Sequence, residues 1–401
     1  MKVDKSVINS VNKRNVLEII RNNSPISKTE ISKKADLTLP TVMKIVDELA
    51  EKNLVLNLGK GVSSGGKPPQ MLEFNGEAYY IIGIDVNDYR IDAIIMDLNA
   101  NIITERIRDI QPRDSSSRII EYIKELISHM ISEPTIDNRK ILGIGIGILG
   151  LVNTEKGKVV YSSAFNWRDA DILMSLKRSF PYPVILDNGT RAMAMGEKIV
   201  GHARDVQNFV CINFGYGIDS AIVMDGSLYY GNAEVSGSLG HVSVKKDGPL
   251  CVCGNIGCLD TIASPNAMVG RAKELVCKMP RGKISQMLNL VYGDVDQIDI
   301  YTILEAAENG DETACSILIE SAEYLAMAVA SLMNIVDPEV IILEGKILRS
   351  SKLFLKELMQ NIKGRKMKFT GELKMEFSDL GKHVGAIGAA SFILDNFLKH
   401  P

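Results

Sequence analysis

The chain has 401 residues, 46% of them hydrophobic, with 46 Lys and Arg against 49 Asp and Glu for a formal net charge of −3. That length predicts two to three domains on a prior of about 150 residues each, and the charge excludes a strongly basic protein overall. It is unevenly spread, because residues 1–70 hold 12 basic and 7 acidic side chains, a balance of +5 that leaves −8 for the rest. Such asymmetry fits a basic nucleic-acid-binding head on a mildly acidic body. The start, M-K-V-D-K-S, lacks the apolar stretch of a signal peptide. The longest apolar run, at 141–152, is too short and glycine-rich to span a membrane. A soluble, cytoplasmic protein without a membrane partner is expected.

Residues 11–52 read as three short helices. Val16, Leu17, Ile19 and Ile20 give the first an apolar stripe, and Asn22-Asn23-Ser24-Pro25 ends it. Ser27 with Glu30 three residues on predicts a capping box opening a second helix to Ala35. After the turn A-D-L-T-L-P, Thr38 is a natural N-cap and Pro40 sits in the first turn, where a missing N–H costs nothing. The third helix puts Val42, Ile45, Val46 and Leu49 on one face. This is the helix-turn-helix order, with Thr38, Pro40, Thr41 and Lys44 on the side that meets a major groove. Residues 54–56 and 70–74 read as strands flanking G-K-G-V-S-S-G-G-K-P-P, a wing whose Lys60 and Lys67 reach phosphates or a minor groove. The alternative is a plain three-helix packing unit followed by a linker.

From residue 79 the pattern changes to three β-rich runs, an amphipathic helix at about 116–131 and the buried-looking strand I-L-G-I-G-I-G-I. A second round starts near 209–217 and ends in helices around 319–336 and 351–362 with V-I-I-L between them. The rough repeat suggests two similar α/β lobes with a cleft between them. Within the second round stand His241, Cys251, Cys253 and Cys258. Three thiolates and an imidazole are a full tetrahedral set for zinc, and Gly254 and Gly257 permit the tight turns that gather them. Four protein ligands leave no open position, so the site reads as structural. The alternatives are a buried cysteine cluster or a disulfide, and Cys251 to Cys253 is too short a loop to close comfortably.

The head, the wing S-S-G-G-K-P, the strand G-I-D-V, the run G-I-G-I-L-G-L-V-N and the signature G-H-V-S-V…C-V-C-G-N-I-G-C-L-D together resemble the ROK family of repressors, open reading frames and sugar kinases, in its regulator branch with an N-terminal winged helix-turn-helix. The likeness covers essentially the whole chain. It implies a winged head over 1–75, then an actin-like (ribonuclease H-like) two-lobed body over 76–401 with a structural zinc and a sugar site between the lobes. The departures bear on activity. The kinase loop D-x-G-G-T reads Asp85, Val86, Asn87, Asp88, Tyr89, and G-T-G-x-G-G reads Gly215, Tyr216, Gly217, Ile218, Asp219, Ser220. The catalytic aspartate of N-D-x-N is Gly189, and the late G-G is Glu344-Gly345. Phosphoryl transfer needs a held donor and a deprotonated acceptor, so a non-enzyme is expected. On the sugar side E-x-G-H reads Ser238, Leu239, Gly240, His241, and the glutamate after the last cysteine is Asp260, while Asn188 and His241 remain. Asn188, Ser238, His241 and Asp260 are therefore the candidate ligand-binding set.

Asp187 orients the pocket or caps a helix, and Trp167 with Asn166 stacks on a sugar or closes a core. His129, His202, His383 and His400 read as surface or helix-end residues, and Cys211, Cys277 and Cys315 as core thiols. The expected function is a sequence-specific DNA-binding repressor of sugar transport or catabolism genes. It would be a homodimer or tetramer on an inverted-repeat double-stranded operator, with a sugar or sugar derivative as effector. The alternative is an ATP-dependent sugar kinase with an appended DNA-binding head.

Overall fold

The computed structural model describes residues 5–61, 68–111, 114–279, 285–365, 367 and 374–401. The first helix, Lys5–Asn23, starts earlier than its apolar stripe suggests and buries Val16, Leu17 and Ile20. Ser27 caps the helix Lys28–Ala35: its Oγ accepts from Glu30 N at 3.2 Å while its own N–H donates to Glu30 Oε2 at 2.9 Å. Asp36, left-handed at φ 52°, turns the chain into the helix Leu39–Glu51, whose Val42, Ile45, Val46 and Leu49 are buried. The strands Val55–Lys60 and Gln70–Phe74 pair antiparallel, and Ile26–Ser27 pairs with the other edge of Gln70–Phe74. Lys67 lies outside the described residues.

Two five-stranded sheets follow. The first is ordered Val184–Asn188, Ile141–Ile148, Tyr80–Val86, Arg90–Asp97, Ile102–Asp109. The second is ordered Ser227–Leu228, Ile218–Met224, Phe209–Phe214, Val340–Glu344, Lys374–Phe377. In each, an antiparallel hairpin sits beside parallel strands, so the repeat read from the sequence is a structural one. The helix Ser116–Ile131 covers the first sheet through Ile119, Ile123 and Ile127. Glu312–Val336 and Lys352–Arg365 pack together over the second. Glu312–Val336 is long and apolar enough to cross a membrane by composition, but half of that stretch is buried, as in a core helix.

The alternation G-I-G-I-G-I has a packing cause. An ideal Cβ on Gly145 would lie 1.8 Å from the Ala389 carbonyl oxygen, and one on Gly83 would lie 2.1 Å from that of Ala386. The last helix, Val384–Lys399, therefore lies directly on a glycine-faced strip of the sheet, while Ile144, Ile146 and Ile148 fill the opposite face. The chain crosses between lobes after the helix Gly189–Ile199, through residues 200–208, and returns at Val384. The head is not packed apart from the body. Val16, Leu17 and Ile20 share one apolar cluster with Ile81, Leu98, Ile387 and Leu394, and Tyr79 meets Phe397 at 5.5 Å between ring centroids.

Candidate functional site

On the head, the helix Leu39–Glu51 turns its apolar face inward and leaves Thr38, Pro40 and Lys44 exposed, with Thr41 half-buried. Thr38 holds the N-cap position, but its Oγ1 accepts no backbone N–H there and bonds Thr41 Oγ1 instead, at 2.8 Å. Lys44 is 74% exposed and comes no closer than 4.0 Å to Glu48, an exposed pair too weak to hold it back from a phosphate. Lys60 ends its strand in solvent. Leu39 and Met43, which sequence reasoning passed over, are exposed beside Thr38 and Lys44 and offer apolar contact to a base edge.

On the second lobe, one potential ligand atom each from His241, Cys251, Cys253 and Cys258 lies within 4.8 Å of the others. Cys251 Sγ is 3.6 Å from His241 Nδ1, and Cys253 Sγ is 3.6 Å from Cys258 Sγ. A tetrahedral zinc with Zn–S bonds of about 2.3 Å separates neighbouring ligand atoms by roughly 3.8 Å, so the four fit that ion. The bridges Ser243 to Cys258 and Leu250 to Ile256 fold the loop back on itself, with Gly254 and Gly257 at positive φ. Without an ion, burial and then the adjoining thiols push Cys258 up to about 12. A cation at the centre reverses that preference.

The cleft lies where the carboxyl ends of the two sheets meet. Asp260 Oδ1 accepts from Ile218 N at 2.8 Å and sits against Gly217 and Gly240, which ties the metal-cluster loop to the second glycine loop. Ser238 donates to the Val235 carbonyl at 2.8 Å. Ser238, His241 and Asp260 thus come to one side. Asn188 stands across from them, and its side chain is spent internally. Its Oδ1 accepts from Thr190 N and Arg191 N, and its Nδ2 donates to Gly150 O at 3.0 Å and Asp219 Oδ2 at 3.1 Å. Asn188, not Asp187, caps the helix Gly189–Ile199. Two further carboxylates floor the cleft. Burial, then the Asp92 charge, pushes Asp85 up to about 7, and burial pushes Asp219 up to about 6 against the Asn188 hydrogen bond. A Cβ on Gly189 would stand 3.7 Å from Asp85 Oδ1.

Sequence reasoning missed a triad built on a buried ion pair. Arg191 pairs with Asp187 at 2.7 Å and lies over the Tyr230 ring at 4.8 Å, while Tyr230 donates to Asp187 Oδ2 at 2.8 Å. The i, i+4 spacing of Asp187 and Arg191 was the available signal. It also missed Lys346, which reaches across the cleft to within 5.4 Å of the Tyr89 ring. Trp167 closes a core: it is buried, stacks on Phe165 at 4.5 Å, and donates to Asp114 O. Cys277 is exposed and Cys315 half-buried, so of the three supposed core thiols Cys211 alone is buried. His129, His202 and His400 are exposed, whereas His383, at a helix end, is buried with Nε2 2.6 Å from Glu105 Oε2.

Comparison with known proteins agrees with this architecture. The pattern of the ROK family matches residues 81–396, and that of winged helix-turn-helix DNA-binding domains matches residues 10–55. The xylose repressor of Caldicellulosiruptor bescii is 31% identical over 399 residues, covering 99% of this chain and 98% of that one. A crystal structure of a ROK family transcriptional regulator, homologous to the Escherichia coli MLC protein, superposes with a TM-score of 0.83 at 26% identity, covering 98% of both chains. A ROK family glucokinase from Streptomyces griseus, with glucose and AMPPNP, superposes at 0.68 and 26% identity, covering 98% of its own chain but 78% of this one. With its body matched from 81 to 396 and a winged head before it, the chain belongs to the ROK family.

Proposed function

We infer that this chain is a DNA-binding, sugar-responsive transcriptional repressor, cytoplasmic, with a winged head over 1–75 and an effector-binding body over 76–401. The observation that carries the reading is the exposed start of the helix Leu39–Glu51 on a winged head fused to a ROK body. The repressor named for xylose, aligned over nearly the full chain, supports a sugar as effector. Thr38, Pro40, Thr41 and Lys44 face the major groove, and Lys60 and Lys67 meet phosphates or the minor groove. A homodimer, or a tetramer built from dimers, on an inverted repeat follows from the limited affinity of one head. His241, Cys251, Cys253 and Cys258 hold one structural zinc, which fixes the loop between Gly240 and Asp260 at the cleft. A sugar hydroxyl reaches Asp260 Oδ2, whose partner oxygen is already engaged, and Ser238 and the outer edge of the His241 ring complete that side. Asn188 positions the opposite wall. Effector binding alters lobe closure and hence the spacing of the two heads.

The kinase reading is supported by the fold shared with the glucokinase. Against it stand Gly189 in place of a base, Asp88 in the first loop, and the Lys346–Tyr89 contact across the place where a donor phosphate would enter. A gel shift with DNA from upstream of the chain's own gene, titrated with xylose and other sugars, tests the proposal. Retarded DNA that a sugar releases is expected. ATP-dependent phosphorylation of a hexose or pentose at ordinary enzyme levels, with no retarded DNA, would overturn it.

A further inference from the structure

A cavity of about 970 Å³ lies away from the sugar cleft, at the junction of three bodies. The head contributes the end of its first helix, the first lobe contributes the helices Gly189–Ile199 and Val384–Lys399, and the inter-lobe crossover and the turn at 225–228 close it. Five cations line it: Arg14 and Lys399, each paired with a carboxylate, and three more, Arg21 from the head, Lys198 from the first lobe and Arg204 from the crossover. Among the described residues none of these last three is in a salt bridge. Arg21 donates to the Leu98 carbonyl at 3.3 Å, Lys198 to the Val206 carbonyl at 2.7 Å, and Arg204 to Asn22 Oδ1 at 2.8 Å. Of the four lining carboxylates, Glu18 is held by Arg14 and Asp395 by Lys399, which leaves Asp205 and Asp225, both exposed. Burial, and next the charge of Arg204, push the Arg21 guanidinium down to about 10 against the opposing pull of Glu18 and Asp97.

We propose that this junction is a binding site for a small phosphate monoester, held by Arg21, Lys198 and Arg204. Two guanidinium forks and an ammonium match a compact dianion better than a single carboxylate, and Arg presents paired donors to phosphate. The volume suits a small metabolite, at the upper end of the roughly 300–1,000 Å³ common for such sites. Gln207 and Ser227 supply amide and hydroxyl groups for the rest of the ligand. A phosphate bound here joins the head directly to the crossover on which the lobes turn. Its occupancy therefore couples head position to lobe closure, and this regulatory consequence rests on the repressor reading, whereas the binding does not.

Isothermal titration of the full chain without DNA tests the site, with inorganic phosphate, glycerol 3-phosphate, glycerol and malate as probes. Saturable binding of glycerol 3-phosphate, tighter than inorganic phosphate and absent for glycerol and malate, is expected. Arg204→Gln, at an exposed position, should weaken it at least tenfold with an unchanged melting temperature, and Arg21→Gln should weaken it likewise. Malate binding as tightly as the ester would overturn the phosphate assignment. No saturable binding, or equal affinity in Arg204→Gln, would overturn the site. A gel shift run without phosphate reports separately on the repressor reading.

Discussion

Asp85 stands next to the end of the strand Tyr80–Val86 at the cleft floor, 8% exposed, with Asn87, Arg90 and Asp92 around it. Its carboxyl titrates near pH 7 in the folded chain, above the value of about 3.9 it has unfolded. The native state therefore holds an extra proton between those values, and stability falls as pH rises from about 4 to about 7. Asp219, raised to about 6, adds to the same fall. Asp85→Asn removes the larger part. Denaturant titrations should show the variant more stable than the parent at pH 8, by on the order of 1–3 kcal/mol, with the gain vanishing near pH 4. Parallel pH profiles for the two proteins would count against the buried-carboxylate account. On the head, Lys44→Ala and Lys60→Ala should each weaken operator binding and lower the salt slope by about one. Thr41→Ala should relax sequence preference with little change in salt slope. Both effects are read from gel shifts at several salt concentrations, and a Thr41→Ala that behaves like the lysine variants would remove Thr41 from the base-reading face.

At the scale of elements, the loop 241–258 is too short of apolar burial to hold its own shape. Leu250, Val252 and Ile256 are 75%, 68% and 52% exposed, so backbone bridges carry much of its fold and the proposed zinc would supply the rest. One equivalent of zinc per chain is expected by emission spectroscopy. Cys258→Ser should lose the metal and lower the melting temperature. In the metal-loaded protein, thiol reagents should reach Cys277 first and the cluster cysteines only after chelation. Rapid reaction of Cys253 and Cys258 without a chelator would speak against an occupied site. The glycine strip of the first sheet is a second element-scale device. Gly83 and Gly145 leave no room for a methyl group beneath Val384–Lys399, so the sheet and the last helix approach backbone to backbone.

For the whole molecule, the shared core of head and body sets how the parts communicate. Removing residues 1–75 uncovers the faces of Ile81, Leu98, Ile387 and Leu394 that meet Val16, Leu17 and Ile20. The truncated body should bind a hydrophobic dye, which the full chain does not, and should associate on size exclusion beyond the full chain's own assembly. A truncated chain that stays dye-negative, and melts as the full chain does, would show the head to be an independent bead. Under the proposed effector response, closure of the lobes would move the second lobe relative to the head, across the Asn22–Arg204 contact.

What the sequence determined by itself was local. The Ser27–Glu30 cap, the helix start at Thr38 and Pro40, the turn glycines and the three cysteines within eight residues were readable because each interaction closes within a few residues of chain. The two-lobed repeat was readable from alternating patterns for the same reason. Only the tertiary structure decided what lies far apart in sequence: Arg191 and Asp187 gripping Tyr230 at a distance of 43 residues, Lys346 at the Tyr89 ring, Arg21 beside Arg204, and the head fused into the core under the last helix. Periodicity records which face of an element is apolar but not which partner covers it. Burial, which raises Asp85 and Asp219 and fixes the role of Asn188, exists only once those partners have met.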